Sequence, residues 1–401
     1  MNGQLEKNIT PIKTDKKASI VMLLQEYYPK DTRVRKEAQA ILESGHNLDI
    51  ICLKDTAETP FEVVDGVNVH RIDIPKKRGS KIRYIFEYFT FFALCTLKLN
   101  KLLKTKKFDI VHVHTLPDFL VFGSYPAKRK GAKVVLDMHE IMPEFFVSKY
   151  NLSENHIIIK TLKFIEKISL QYADYVITVN NQLKDQFSGR AKLKNDITII
   201  MNTVDEETMP KIVKQQTDKF FAVYHGTITK LYNLDFAVRA LVKIKDKIPN
   251  FEFHIYGDGN QIELLESLVK EFDLSKIVFI HGRVSHKAIP EILSKANLGI
   301  LPIKKDIMSN LSFSNKLAEY VHYEIPVISS NLDSVMSYFP NDSIYYFKDN
   351  DEDDFCKQLL HIYNNYEESK NYVEKASSIN KEISWNIMKE KLQNLVKIVN
   401  S

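Results

Sequence analysis

Cysteine and tryptophan are nearly absent from this chain, at 3 and 1 of 401 residues. Cys52, Cys95 and Cys356 stand far apart and form no pair motif. That argues against a disulfide framework or a structural zinc site and for a reducing, cytoplasmic setting. No His/Cys/Asp group shows metal-ligand spacing, so no metal is expected. No apolar run approaches the roughly 20 residues of a membrane-spanning helix. No secretory signal opens the chain, and residues 1–17 read as a polar, disordered tail. A G-x-G-x-x-G fingerprint is missing at the first strand of either half, so no dinucleotide cofactor is expected. There is no recognisable nucleic-acid-binding module, and nucleic acid is not expected as a partner.

What is present is a globular composition, 44% hydrophobic and 27% charged, in a length that suits two domains. The net charge of +5 is uneven. Residues 1–200 hold 32 Lys/Arg against 23 Asp/Glu, and residues 201–401 hold 24 against 28. The first half therefore suits an anionic partner better.

From residue 18, strand-like runs ("SIVMLL", "LDIICL", "FDIVHVH", "AKVVLDMH", "YVITV", "ITIIMN") alternate with amphipathic stretches. Such alternation predicts a parallel sheet covered by helices on both faces. "FEVVDGVNVHRIDI" predicts a hairpin turning at Asp65-Gly66. Residues 203–218 break the rhythm and read as a linker. A second series follows ("FFAVYHG", "FEFHIYG", "KIVFIHG", "LGILPI", "IPVISS", "SIYYF"). The expectation is an α/β chain with two Rossmann-like doubly wound domains, 18–202 and 219–380, facing across a cleft. Residues 381–401 form a helix that crosses back to the first domain. Ligands of such sheets bind beyond the carboxyl ends of the strands, so those ends hold the candidate residues.

In the first domain these are His112 and His114, then Asp137, His139 and Glu140. Two histidine-bearing strand ends suit hydroxyl orientation or phosphate balance; satisfied structural histidines are the plainer alternative. Arg33 and Arg35 begin a helix capped by Asp31 or Thr32, against the preference of its dipole. An anionic partner or simple solvation would each account for them. In the second domain Gly226, Gly257, Gly259 and Gly282 follow strands, where backbone must turn or be approached closely. "SNKLAEYVH" reads as a helix capped by Ser314, with Lys316 and Glu319 on one face. A surface ion pair is the plain reading. The sharper one is an anion held at the helix N-terminus by Ser314, Asn315 and Lys316, with Lys230 and Arg283 nearby and Glu319 on a hydroxyl.

Taken together, "DTRVRKEAQAILESGHNLDIICL", "FDIVHVHTLPDFL", "VVLDMHEIMPE", "ADYVITVNNQLKDQF" and "SNKLAEYVHYEIPVI" resemble the family-4 retaining glycosyltransferases of the GT-B fold. The likeness, to the type that builds cell-surface polysaccharides, covers roughly residues 18–400. It implies transfer of a sugar from a nucleoside-diphosphate sugar to an acceptor hydroxyl, with retention and without metal or other cofactor. It also implies a glycan or lipid-linked acceptor. Carried over, Glu319 holds the donor ribose, Ser314, Asn315 and Lys316 lie by the diphosphate, and Leu317 belongs to the same donor-binding helix. Gly226, Thr227, Lys230, Gly257 and Arg283 complete the donor side. His114, Glu319 and Lys230 are the catalytic candidates, and Arg33, Asp118, His139 and Glu140 are the acceptor-side ones.

The chain departs from the pattern in three places. Leu311 stands where a first Glu is usual, the glycine pair is missing from "YYPKD", and Tyr232-Asn233 replaces a basic residue and Gly. An inactive GT-B partner or glycan-binding protein, and a sugar-nucleotide epimerase, are therefore the rival readings. Residues 76–107 carry ten Lys/Arg, one Glu and an aromatic centre. They read as a sheet-covering helix, or as a contact to an anionic membrane surface that would make the enzyme peripheral on the inner face.

Overall fold

The computed structural model of the protein describes residues 17–74 and 81–401, and of 81–85 the backbone alone. The expected tail, Lys17 apart, and the basic start of 76–107 thus lie outside the described residues.

Two sheets form, as the two series of apolar runs predict. The first holds β1 (Ser19–Tyr27), β2 (Asn47–Leu53), β3 (Phe61–Val64), β4 (Val67–Ile72), β5 (Ile110–His114), β6 (Lys133–Met138), β7 (Tyr175–Thr178) and β8 (Thr198–Ile199). Their order is β3-β4-β2-β1-β5-β6-β7-β8. Only the β3–β4 pair is antiparallel, because Asp65 (φ 50°) and Gly66 (φ 84°) close it as a tight hairpin. The second sheet holds β9 (Phe220–His225), β10 (Phe251–Tyr256), β11 (Val278–Gly282), β12 (Leu298–Leu301), β13 (Val327–Ser330) and β14 (Tyr345–Phe347). Its order, β11-β10-β9-β12-β13-β14, reverses direction beside β9, and that reversal opens a crevice at the end of β9.

Burial follows from the unbroken apolar runs, which suit strands covered on both faces. In β1, Ile20 and Met22 belong to one buried cluster while Val21 and Leu23 belong to another. The second cluster lies under helix α2 (Lys81–Leu102), which buries Phe91, Cys95 and Leu99. Its outer face leaves Phe86 69%, Phe89 57% and Leu97 64% exposed. Among the described residues no helix is long and apolar enough to cross a membrane.

Three features position the site. Helix α1 (Thr32–Glu43) begins where Asp31 accepts a bond from the Val34 N–H at 2.9 Å, and ends at Gly45 in the left-handed region (φ 81°). Helix α3 (Asn315–His322) buries Leu317, Tyr320 and Val321, whose spacing of three and four puts them on one face. Helix α4 (Trp385–Asn400) returns to the first domain, where Gln393 Nε2 donates to the Ala40 carbonyl at 2.9 Å and Lys389 pairs with Glu43 at 3.0 Å. Across the cleft, Asn180 Nδ2 donates to the Leu311 carbonyl at 2.8 Å, and Leu311 packs on the first domain's core. The residue in place of the usual Glu thus serves as a contact between domains.

Candidate active site

At the ends of β5 and β6 the first domain assembles a buried polar cluster. Arg33, from the first turn of α1, grips Asp137 with two bonds, Nε at 2.8 Å and Nη2 at 2.9 Å. Its Nη1 donates to the Ile200 carbonyl and to Asn202 Oδ1, each at 2.8 Å, and its Nη2 lies 3.1 Å from Glu37. Asp137 also meets His114 Nδ1 at 3.1 Å and His139 Nδ1 at 3.3 Å. Burial works against its ionisation, but Arg33 and His139 hold the carboxyl well below its usual range. Glu37, equally buried, is pushed the other way by burial and keeps its proton more readily. Burial opposes charging of His139 as well, yet the neighbouring Asp137 raises its pKa.

Glu37, His112, His114 and Asp137 bring their ligand atoms within 4.8 Å of one another, a convergence no spacing in the sequence revealed. The Arg33 guanidinium already occupies both oxygens of Asp137 and supplies the positive charge there. The anionic partner expected for Arg33 is therefore the protein's own carboxylate.

Beside this cluster opens a cavity of about 470 Å³, walled by Thr115, Leu116, His139, Glu140, Met142 and Phe145. His139 and Glu140 line it, and burial raises the Glu140 pKa. His114 does not line it. Its ring is wholly buried against His112, with centroids 4.3 Å apart, behind Thr115. Asp118 is also buried away from the cavity, and burial next to Glu166 and Glu144 pushes it up to about 8. Arg33 is fully engaged below the surface. Of the first-domain candidates, His139 and Glu140 are the ones that face this cavity.

The second domain is arranged differently. At the end of β9, Gly226 (φ 116°) leaves room for Lys316, since a Cβ there would stand 2.4 Å from Lys316 Cε. Gly257 allows the next strand end to close in; its Cβ would fall 1.7 Å from the Gly226 carbonyl oxygen. The Lys316 ammonium lies over the rings of Tyr232 (4.0 Å to the centroid) and Tyr224 (5.6 Å). No carboxylate neutralises it among the described residues. Lys316 and Glu319 do not pair with each other, so the surface ion pair is excluded. Glu319 Oε2 instead sits 3.0 Å from His225 Nε2.

Ser314 stands at the N-cap position, but its hydroxyl caps nothing; the Leu317 N–H closes on the Ser314 carbonyl at 3.1 Å, and the N–H groups of Asn315 and Lys316 are left for an outside acceptor. Lys230, Thr227, Arg283 and Asn315 are exposed around this edge, whereas Leu317 is wholly buried core. Asn233 (φ 52°) takes the left-handed conformation expected of a Gly there. Sequence reasoning missed His225, Tyr224 and Glu37. His225 had a signal in its place before a strand-end Gly, while Glu37 faces partners far along the chain.

The family model described as "Glycosyltransferase Family 4" matches residues 31–208, and "Glycosyl transferases group 1" matches residues 205–378. A 2-deoxystreptamine N-acetyl-D-glucosaminyltransferase of Niallia circulans is 22% identical over 239 residues, 57% of this chain and 60% of the relative. The chain thus matches less than two thirds of that relative's length. An alpha-monoglucosyldiacylglycerol synthase of Acholeplasma laidlawii is 24% identical over 315 residues, 73% of this chain and 74% of that one. Among solved structures, a sucrose-phosphate synthase of Thermosynechococcus elongatus superposes with a TM-score of 0.74 at 15% identity, covering 95% of this chain and 98% of its own. HepE of Anabaena, in complex with UDP, superposes with a TM-score of 0.71 at 12% identity, covering 94% and 99%. These likenesses establish the fold.

Proposed function

We propose that this chain, which belongs to the GT-B glycosyltransferases of the family-4 type, moves a sugar from a nucleoside-diphosphate sugar to an acceptor hydroxyl. The observation that carries the reading is the Lys316 ammonium, left without a carboxylate at the uncapped start of α3, one turn before Glu319. A diphosphate leaving group gains negative charge as the glycosidic bond breaks. Fixed donors there stabilise it without reorganising. Glu319, steadied by His225, would take the ribose hydroxyls, and the sugar would face His139 and Glu140 across the cleft.

We extend this to a retaining, metal-independent transfer, in which α3 and Lys316 supply the charge that a cation would otherwise bring. The acceptor would be a lipid-linked or envelope glycan, reached from the cytoplasmic membrane face. The exposed Phe86, Phe89 and Leu97 of α2 support such a contact.

The test is turnover of a panel of nucleotide sugars with glycan and glycolipid acceptors, with and without excess chelator. Transfer that survives chelation, with the anomeric configuration kept, is expected. Turnover restored only by manganese or magnesium would contradict the metal-independent reading. Conversion of one sugar nucleotide to another without acceptor would replace transfer by epimerisation.

A further inference from the structure

A second, smaller pocket of about 130 Å³ lies between the domains, with Asn315 and Glu319 of α3 and His286 on one wall. The facing wall is α1, which brings three cations to it: Arg33, Arg35 and Lys36. Two of them are already engaged. Arg33 is bound to Asp137 and to the Ile200 and Asn202 oxygens. Lys36 donates its Nζ to the Thr203 carbonyl at 2.7 Å and lies 4.6 Å from the centroid of Trp385.

The Arg35 backbone N–H donates to the Asp31 carbonyl at 3.0 Å, but its guanidinium has neither a hydrogen bond nor an ion pair among the described residues. The pocket's carboxylates do not supply one. Glu319 is held toward His225, and Asp205 accepts from the Glu207 N–H at 3.1 Å and the Thr208 hydroxyl at 3.3 Å. Beyond the capping Asp31, whose carboxylate is bound to the Val34 N–H, the first turn of α1 contains no acidic residue to offset the guanidinium. A half-buried arginine without an ionic partner among the described residues thus shares a pocket with Asn315 and Glu319 of α3.

We infer that Arg35 binds a phosphate group of the donor across the cleft from Asn315, as an anion ligand contributed by the acceptor-side domain. This rests on the donor reading given above and deepens it. The nucleotide would then be gripped from both domains, the planar guanidinium taking two phosphate oxygens at once. It also answers the position of Tyr232, where the chain lacks a basic residue: part of the missing charge comes from the opposite wall.

The test compares the parent with Arg35→Gln and Arg35→Lys, titrated with UDP, GDP and ADP by calorimetry. The corresponding nucleosides are titrated by ligand-observed NMR. Because the Arg35 guanidinium has no partner among the described residues, all three should melt alike. Arg35→Gln is expected to weaken the bound diphosphate about tenfold to a hundredfold while leaving its nucleoside within about twofold. Arg35→Lys should recover part of the loss, since it keeps the charge but not the fork. Unchanged diphosphate affinity in Arg35→Gln, or an equal loss for the nucleoside, would overturn the inference with the donor reading intact. A parent that binds none of the three diphosphates would overturn the donor reading itself.

Discussion

The two domains treat their charges in opposite ways. In the first, Arg33 is spent inside the protein on Asp137, which in turn fixes His114 and His139. In the second, Lys316 is flanked by tyrosine rings, and Glu319 has only a histidine beside it. The first domain is more basic by count, yet its best-placed arginine is closed to a ligand. The second is acidic by count, yet it presents a bare cation at a helix start. On the proposed reading, net charge per half misplaces the anion site, and the charges without an internal partner mark it.

The contrast is broken most severely at Asp137. Asp137→Ala strips the buried Arg33 guanidinium of its two-bond carboxylate partner, leaving Glu37 and two neutral oxygens, and should cost about 3–5 kcal/mol of stability. Urea unfolding measures this, and a loss below about 1 kcal/mol would mean that the cluster is not held through that carboxylate. On the donor side, Gly226→Ala forces a Cβ 2.4 Å from Lys316 Cε at a φ of 116°. It should cost about 1–3 kcal/mol of backbone strain and, by displacing Lys316, weaken nucleoside-diphosphate affinity. Melting and titration of the same sample separate the two effects. The smallest expected effect is at Glu140. Its folded pKa is raised by burial, so the folded state holds its proton more tightly than the unfolded one. Stability then falls as pH rises from the ordinary carboxylate range through the folded pKa. Glu140→Gln should flatten that fall by about 1 kcal/mol or less, read from melting curves between pH 4 and pH 8. An unchanged slope would assign the fall to other groups.

Much of the fold could be read from the chain because two doubly wound sheets write themselves as repeated apolar runs. The hairpin at Asp65-Gly66 and the return of α4 onto α1 were legible for the same local reasons. Helix α3 was legible too, since the buried Leu317, Tyr320 and Val321 fix which way Lys316 and Glu319 face. The first-domain site was not. Whether His114 or His139 meets the cavity depends on how deeply β5 and β6 end below the surface, and alternation along one strand is silent on that. Nor can spacing show that Arg33 finds Asp137, more than a hundred positions away. The hydroxyl of Ser314 likewise had the right type and place for a cap, but local geometry left it unused.

The account turns on a nucleoside diphosphate being held by the second domain through α3. Calorimetric titration of UDP, GDP and ADP into the parent, Lys316→Ala and Glu319→Ala tests it directly. The prediction is that at least one diphosphate binds the parent. Each substitution should then weaken it about tenfold or more, with melting temperatures in the absence of nucleotide unchanged. No binding to the parent, or equal affinity in all three proteins, would contradict the account.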